Sequence, residues 1–356
     1  MLSNFEKTGS VVVLMMDKHM GNLVVSIPAI HALQKVYHDK TFCLVVDSAY
    51  SEIVENLSGV DQLMYYPRQQ LRASSIINQS ICFLKFIRQL RSVKPDIAID
   101  LEGRELSSTI CFLSGAPLRV GSSTCRRSFF YNRKARLQSG SHRVFTYFDI
   151  ASAVGAESRF EEYYLKTSKK KEHSLKGLLL NKGISVERPI ACIHSGAGKL
   201  YKQWSSSKFI HMADWLGDNE FQVVFIGSKE ESDKNDTLIS RMKHKAFNFA
   251  GVISLGELMS LFEFSSLYIG NDSGPMHIAA AMKTPVVALF GSANEKRWGP
   301  LSKSSVVLRG EEPCDKCKGN DCEYGFKCVR SIHPDSVKAA IKGLMDEAKG
   351  FNEKKI

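Results

Sequence analysis

Between the apolar runs Ser266-Leu267-Tyr268-Ile269 and Pro285-Val286-Val287-Ala288-Leu289-Phe290-Gly291 the chain reads Gly270-Asn271-Asp272-Ser273-Gly274-Pro275-Met276-His277, then Ile278-Ala279-Ala280-Ala281-Met282. The pattern is strand, tight turn, helix, strand, with the polar residues gathered where the helix starts. A helix start turns unpaired N–H groups and a partial positive charge outward, which suits a phosphate. Asp272 and Ser273 are residue types that cap such a start, and Gly274 lets the backbone approach a ligand closely. A capped helix in an α/β domain that binds nothing is the competing reading of the same residues.

Two more turns follow strands. Met15-Met16 leads into Asp17-Lys18-His19-Met20-Gly21-Asn22, and Ile193 into His194-Ser195-Gly196-Ala197-Gly198. Neither is a G-x-G-x-x-G fingerprint or a P-loop, which argues against a nicotinamide dehydrogenase and a P-loop kinase. The second turn continues into Lys199-Leu200-Tyr201-Lys202-Gln203-Trp204-Ser205, where a lysine either neutralises a diphosphate or is solvated in a loop. Glu230 and Glu231 close Phe225-Ile226-Gly227-Ser228-Lys229. A carboxylate there either holds a ribose diol or complements a helix dipole. Of the nine cysteines, Cys43, Cys82, Cys111, Cys125 and Cys192 lie in apolar contexts as packed thiols. Cys314, Cys317, Cys322 and Cys328 cluster on a polar loop, where a structural zinc, a disulfide and free thiols all remain open.

These turns need a scaffold. With 356 residues, 44% apolar and 24% charged, the chain has the length and composition of two globular domains. No run reaches the roughly 20 apolar residues of a membrane span. The start lacks a signal-peptide core, so a cytosolic location is expected. The formal charge of +11 favours anionic partners. Arg119, Arg126, Arg127, Arg133, Lys134, Arg136, His142 and Arg143 concentrate it, with Arg68 and Arg72 in another expected loop. No nucleic-acid-binding signature accompanies them, so no nucleic acid is expected as partner.

Strands are expected at Val11–Met16, Thr41–Val46, Gln62–Tyr66 and Asp96–Leu101, and again at Ile190–His194 and Phe221–Ile226. Between them run helical patterns at Leu23–Tyr37, with Pro28 as a kink or late start, and at Ser75–Val93 and Arg104–Leu113. The second half adds Ser206–Leu216, Glu231–Lys243, Leu255–Phe264 and Asp335–Ala348. Lys166 to Arg188 breaks the alternation and reads as a linker region, with a helix around Leu175 to Leu180. Alternating strands and helices imply parallel sheets in two tandem α/β domains, at residues 1–168 and 189–356, flanking a linker at 169–188.

Taken in order, these blocks resemble glycosyltransferase family 9, the ADP-heptose:lipopolysaccharide heptosyltransferases. Gly21-Asn22 with Ser26-Ile27-Pro28-Ala29-Ile30, Asp96 to Leu101, His194 to Ala197 and Lys202-Gln203-Trp204 carry the resemblance. So do Asn271 to His277, Leu289-Phe290-Gly291, Trp298-Gly299-Pro300 and the Cys-rich tail before Ile332-His333-Pro334. It implies a GT-B fold: two Rossmann-like domains with parallel sheets facing a central cleft, acceptor on the N-terminal and nucleotide-sugar donor on the C-terminal domain. Donor contacts would come from Ser195, Gly196, Lys202 on the diphosphate, Glu231 (or Glu230) on the ribose, and Asp272. The backbone of Ser273, Gly274, Pro275, Met276 and His277 would cradle phosphate.

The family's first glycine turn usually reads Gly-Asp, with that Asp as general base. Here Asn22 stands in its place, and an amide cannot take the proton. Asp17 is the nearest carboxylate in sequence, with Asp100 and Glu102 as rivals. The expected activity is inverting, metal-independent transfer of heptose from ADP-heptose to the inner core of lipopolysaccharide. Arg68, Arg72, Arg126 and Arg127 would meet acceptor phosphates and the anionic inner-membrane surface, placing the protein peripherally at the cytoplasmic face of that membrane. The alternatives are a family member with another nucleotide-sugar donor, and a non-catalytic sugar-nucleotide or lipid A-binding protein.

Overall fold

The computed structural model describes residues 9–73, 75–138, 140, 142–162, 164–310, 317 and 319–353. The chain divides into two compact units, Met1–Tyr163 and Tyr164–Ile356.

The first unit is built on β1 (Ser10–Met15), β2 (Thr41–Asp47), β3 (Gln62–Tyr66), β4 (Ile97–Asp100), β5 (Leu118–Ser122) and β6 (Arg133–Ala135). All are parallel, in the order β3-β2-β1-β4-β5-β6. The continuous β-branched run of β1 is buried at every position, as a central strand covered on both faces requires. Helices Met20–Val36 and Arg143–Ser152 pack on each other. Phe86, Ile87 and Leu90 of helix Ile76–Ser92 and Ile110 and Cys111 of helix Glu105–Leu113 close a core with Val12, Leu14 and Val45.

The second unit repeats the plan with β7 (Ile190–His194), β8 (Gln222–Phe225), β9 (Ala246–Asn248), β10 (Leu267–Asn271), β11 (Val286–Phe290) and β12 (Ser305–Arg309). They are parallel in the order β12-β11-β10-β7-β8-β9. Its core joins Ile193, Phe209, Val223, Ile269, Val287 and Leu344. Each unit is thus a Rossmann-like, doubly wound sheet, and the fold class is α/β of the GT-B type. The strand order reverses between β1 and β4 and between β7 and β10. Ligands of such sheets bind outside the carboxyl ends of the strands at this reversal.

Several expected elements shift. Pro28 neither starts nor ends a helix but lies inside Met20–Val36, where burial of Leu23, Val25, Ile27, Ile30 and Leu33 outweighs one missing backbone bond. Arg68 and Arg72 lie on a short helix, Arg68–Ala73, rather than in a loop. Much of the expected linker is helix Lys169–Asn181, capped by Ser168 with Leu175 and Leu179 buried. Thr167 Oγ1 meets Ser260 Oγ at 2.7 Å, Ser174 Oγ donates to Glu257 at 2.7 Å and Lys171 Nζ to Ser254 Oγ at 3.0 Å. These contacts tie the segment to helix Leu255–Phe264 of the second unit. Among the described residues, no helix is long and apolar enough to cross a membrane.

Candidate functional site

At the reversal in the second unit, β7 ends on His194 and β10 on Asn271. Asn271 is fully buried and works as a clamp. Its Nδ2 donates to the carbonyls of Ser195 (3.1 Å) and Gly196 (3.0 Å), while Oδ1 accepts from Trp204 N at 3.0 Å. The β7 turn and the start of helix Ser206–Asp218 are thereby fixed to β10. Ser195 Oγ donates to Asn235 Oδ1 at 3.0 Å, and Lys234 Nζ to Ser195 O at 3.2 Å.

Glu231 is drawn to the same turn. Its Oε2 lies 3.3 Å from His194 Nε2 and accepts from Ser228 N at 2.8 Å. Glycine at 196 leaves room for this carboxylate: a Cβ there would stand 1.6 Å from Glu231 Oε1 and push it off the turn. Burial alone would raise the Glu231 carboxyl. The hydrogen bond and charge of the His194 ring, the Ser228 N–H and the Lys234 ammonium outweigh it and bring the group down to about 2. Glu230, next in the chain, is exposed and stands apart from this cluster.

Lys202 Nζ lies 2.5 Å from Asp272 Oδ2, with the Asp272 side chain only 7% exposed. Helix Gly274–Ala281 begins directly after, with Ser273 at its N-cap. The expected serine cap is not made. Ser273 Oγ turns instead to His194 Nδ1 (2.9 Å) and Asn271 O (3.1 Å), leaving the first-turn N–H groups without a side-chain acceptor from the N-cap. Pro275 has no N–H, and His277, four residues after the N-cap, turns its N–H back into the helix, so of the expected phosphate cradle Ser273, Gly274 and Met276 hold the donors of the helix start. The arrangement offers an anion one ammonium and the positive end of a helix.

The first unit gathers the opposite charge. Asp17, 1% exposed, accepts from His19 N (2.8 Å) on Oδ1, and from Asn22 Nδ2 (2.9 Å) and Arg104 Nη2 (3.2 Å) on Oδ2. Asn22 therefore orients the carboxylate beside it. Asp100 ends β4 with both oxygens engaged: Glu102 N at 2.9 Å, Gly103 N at 3.0 Å and Tyr131 OH at 2.5 Å. Burial raises its pKa against these hydrogen bonds. The Glu102 side chain meets, among the described residues, only the Arg104 guanidinium, at 3.4 Å. Burial, then the neighbouring Asp100 and Asp17 charges, pushes its carboxyl up to about 8, against the pull of Arg104 and Arg68. A carboxyl in that range is suited to take a proton near neutral pH.

The four arginines differ. Arg68 spans Asp47 and the Met16 carbonyl at the ends of β2 and β1 and lies over the Tyr66 ring, a strut between strands. Arg72 is exposed. Arg126 Nη1 lies 3.2 Å from Glu105 Oε1, and Arg127 donates to Thr109 Oγ1 at 2.8 Å, so both flank the start of helix Glu105–Leu113. Of the clustered cysteines, Cys314 lies outside the described residues. Cys317 is exposed beside Ser292 Oγ at 3.2 Å, and Cys328 is buried. Among the described residues no three His, Cys, Asp or Glu side chains stand close enough to hold a metal, which does not support the zinc expectation.

Arg104, Lys234, Asn235 and Asn271 are central here and were not singled out by sequence as site residues. Asn271 alone carried a signal, as part of the Asn-Asp-Ser-Gly-Pro block.

Residues 83–327 match the model of glycosyltransferase family 9 (heptosyltransferase). Lipopolysaccharide heptosyltransferase 3 of Escherichia coli is 22% identical over 293 residues, covering 80% of this chain and 85% of the relative. Lipooligosaccharide heptosyltransferase 2 of Haemophilus influenzae is 30% identical over 167 residues, 45% and 48% of the two chains. A family 9 glycosyltransferase structure from Veillonella parvula superposes with a TM-score of 0.84 at 21% identity, covering 96% of this chain and 98% of that one. The E. coli ADP-heptose lps heptosyltransferase II structure gives 0.78 at 21% identity, covering 96% and 99%.

Proposed function

We infer that this chain, which belongs to glycosyltransferase family 9 and is a glycosyltransferase, moves a heptose from ADP-heptose to the inner core of lipopolysaccharide with inversion at the anomeric carbon. Relatives named as lipopolysaccharide heptosyltransferases support the sugar and the acceptor class, and the structure of an ADP-heptose lps heptosyltransferase supports the nucleotide. The observation that carries the reading is the Lys202–Asp272 pair at the uncapped helix start after β10.

The donor diphosphate lies on the N–H groups of Ser273, Gly274 and Met276, with Lys202 as counter-charge. Lys202 lets Asp272 and a diphosphate share one helix start, since each anion alone would repel the other. Asp272 faces the donor sugar. Glu231 stays ionised far below neutral pH and accepts hydrogen bonds from the ribose hydroxyls. Ser195 and Gly196 shape the turn against which the nucleotide lies. An acceptor hydroxyl gives its proton to a carboxylate and attacks the anomeric carbon. The bond from that carbon to the diphosphate oxygen breaks, and its electron pair leaves with ADP. Lys202 and the helix start stabilise the leaving charge.

Glu102 is the proton acceptor we favour, because Asp17 and Asp100 already spend both oxygens on hydrogen bonds. One observation favours Asp17 as second reading: its Oδ2 is 2.9 Å from the amide of Asn22, which occupies the family's usual base position. Arg72, Arg126 and Arg127 serve the acceptor phosphates, and the protein works peripherally at the cytoplasmic face of the inner membrane. Turnover with ADP-heptose and a heptose-lacking acceptor tests the proposal. Transfer with inversion is expected, and selective turnover of a different nucleotide sugar would replace the donor.

A further inference from the structure

Helix Ile76–Ser92 has two unlike sides. Phe86, Ile87 and Leu90 face the core. Outward stand Ile76 at 80% exposure, Ile77 at 71%, Leu84 at 64% and Ile81 at 46%. Ile77, Ile81, Leu84 and Arg88 are spaced i, i+4, i+7 and i+11, so they form one ridge along the helix. Scattered exposed aliphatics are ordinary, but three in line along one ridge, with Ile76 also exposed at the helix start, are not.

The charge around the ridge has one sign. From residue 62 to residue 95 the sequence holds six Lys and Arg and no Asp or Glu. Lys85 and Arg88 are exposed on this helix, and Arg72 is exposed on the preceding one. None of these three forms an ion pair among the described residues. In a doubly wound sheet each crossover helix begins at the carboxyl edge of the strands. Ile76 and Ile77 therefore lie at the edge that carries Asp17, Asp100 and Glu102.

We propose that the outer ridge of helix Ile76–Ser92 docks on an anionic lipid bilayer, its aliphatic side chains Ile77, Ile81 and Leu84 entering the acyl boundary and its cations meeting the headgroups. A convex apolar ridge edged with cations is the signature of an interfacial helix. A second copy of the chain fits poorly, because two such faces would set like charges together with no acid between them. The purpose, holding the carboxyl edge beside a lipid-borne acceptor, rests on the function proposed above. The docking itself does not.

The test uses the full chain without donor and sucrose-loaded vesicles of phosphatidylcholine, with and without phosphatidylglycerol. Wild type is expected to sediment with the anionic vesicles and to be released by salt. Ile77→Ser/Leu84→Ser and Lys85→Gln/Arg88→Gln should each weaken binding by at least about tenfold, as loss of insertion and of headgroup attraction predicts. Circular dichroism and melting should match wild type. Both variants should keep turnover on a lipid-free acceptor fragment and lose it on a vesicle-embedded one. Failure of wild type to bind anionic vesicles, or wild-type binding by the apolar variant, overturns the proposal. So does a dimer in sedimentation equilibrium that Ile77→Ser/Leu84→Ser dissolves. If vesicle binding behaves as expected while no donor is turned over, the docking stands and the proposed transfer falls.

Discussion

Two glutamates, each beside the point where a sheet reverses its strand order, have opposite acid strengths. Glu102 follows β4 in a group of three carboxyls with Arg104 as the close cation, and its carboxyl is pushed up to about 8 by burial and by the Asp100 and Asp17 charges. Glu231 follows β8, also partly buried. There the His194 ring, a backbone N–H and Lys234 overcome burial and hold it at about 2. The winding is the same in both units, so topology does not set the difference; the neighbours supplied by adjacent turns do. The first assembly is built to change protonation state near neutral pH. The second is built to keep fixed charges and fixed hydrogen-bond acceptors beside a helix start.

If that contrast is functional, Glu102→Gln should have the largest effect. A general base contributes about 10²–10⁴-fold, so kcat should drop within that range with donor KM little changed. In wild type the rate should climb with pH as Glu102 ionises around 8, and the variant should lose that rise. Stability should move the other way. The folded-state pKa lies above the ordinary 4.5, so ionising the buried group penalises the fold. That penalty is complete above about pH 8 and absent below about pH 4.5. The variant should accordingly melt higher than wild type at pH 8–9, by the equivalent of a few kcal/mol, and match it near pH 4. A full pH rise retained in Glu102→Gln and lost in Asp17→Asn would move the base to Asp17.

Lys202→Ala probes the other assembly and should leave the pH rise intact. With the ammonium gone, Asp272 faces the diphosphate unopposed. Turnover should fall by about 10²-fold, the scale of losing one preorganised electrostatic contact, and ADP should bind more weakly in calorimetry. Unchanged ADP affinity and rate would remove the donor from the start of helix Gly274–Ala281.

The sequence made the central strands and the turns readable, and left the partners across the sheet unread. β1, β2, β7, β10 and β11 are continuous apolar runs because both their faces are covered. β6 is only Arg133-Lys134-Ala135 and β9 only Ala246-Phe247-Asn248; edge position frees such strands from that pattern, and neither was anticipated. β12, also an edge strand, and β5, the neighbour of edge strand β6, each carry an arginine that interrupts the apolar run. Helix Arg143–Ser152 went unread because it opens inside the arginine-rich stretch. Within the site, Asp17, Lys202 and Asp272 lie in the segments after β1, β7 and β10 that their motifs indicated, Gly21 and Asn22 belong to the first turn of helix Met20–Val36 rather than to a turn before it, and Arg104 reaches Asp17 across 87 positions of sequence. Ser273 is the sharpest case. Its type and place say helix cap, yet its hydroxyl serves His194, 79 residues earlier, because β7 and β10 lie side by side.

Asn22→Asp should have the smallest effect on catalysis and still sharpen the contrast. It puts an acid into the first turn of helix Met20–Val36 and sets a carboxylate where Asn22 Nδ2 now donates to Asp17 Oδ2 at 2.9 Å. Both side chains are buried, at 8% and 1% exposure. Two carboxylates at that distance cannot both ionise freely, so the pair should keep one shared proton and titrate its second step well above the ordinary carboxylate range. The folded variant then holds a proton that the unfolded chain has lost, and its stability relative to wild type should decline as pH rises from 4 to 8. About 1–3 kcal/mol is expected, the usual cost of replacing a buried hydrogen bond by an unsatisfied contact. With Glu102 as base, kcat should stay within about tenfold of wild type, since no proton-transfer group has been removed. A larger rise, with the pH dependence shifted to lower pH, would mean that position 22 can still perform the proton transfer, and that the carboxyls of Asp17 and Glu102 are its substitutes in this chain.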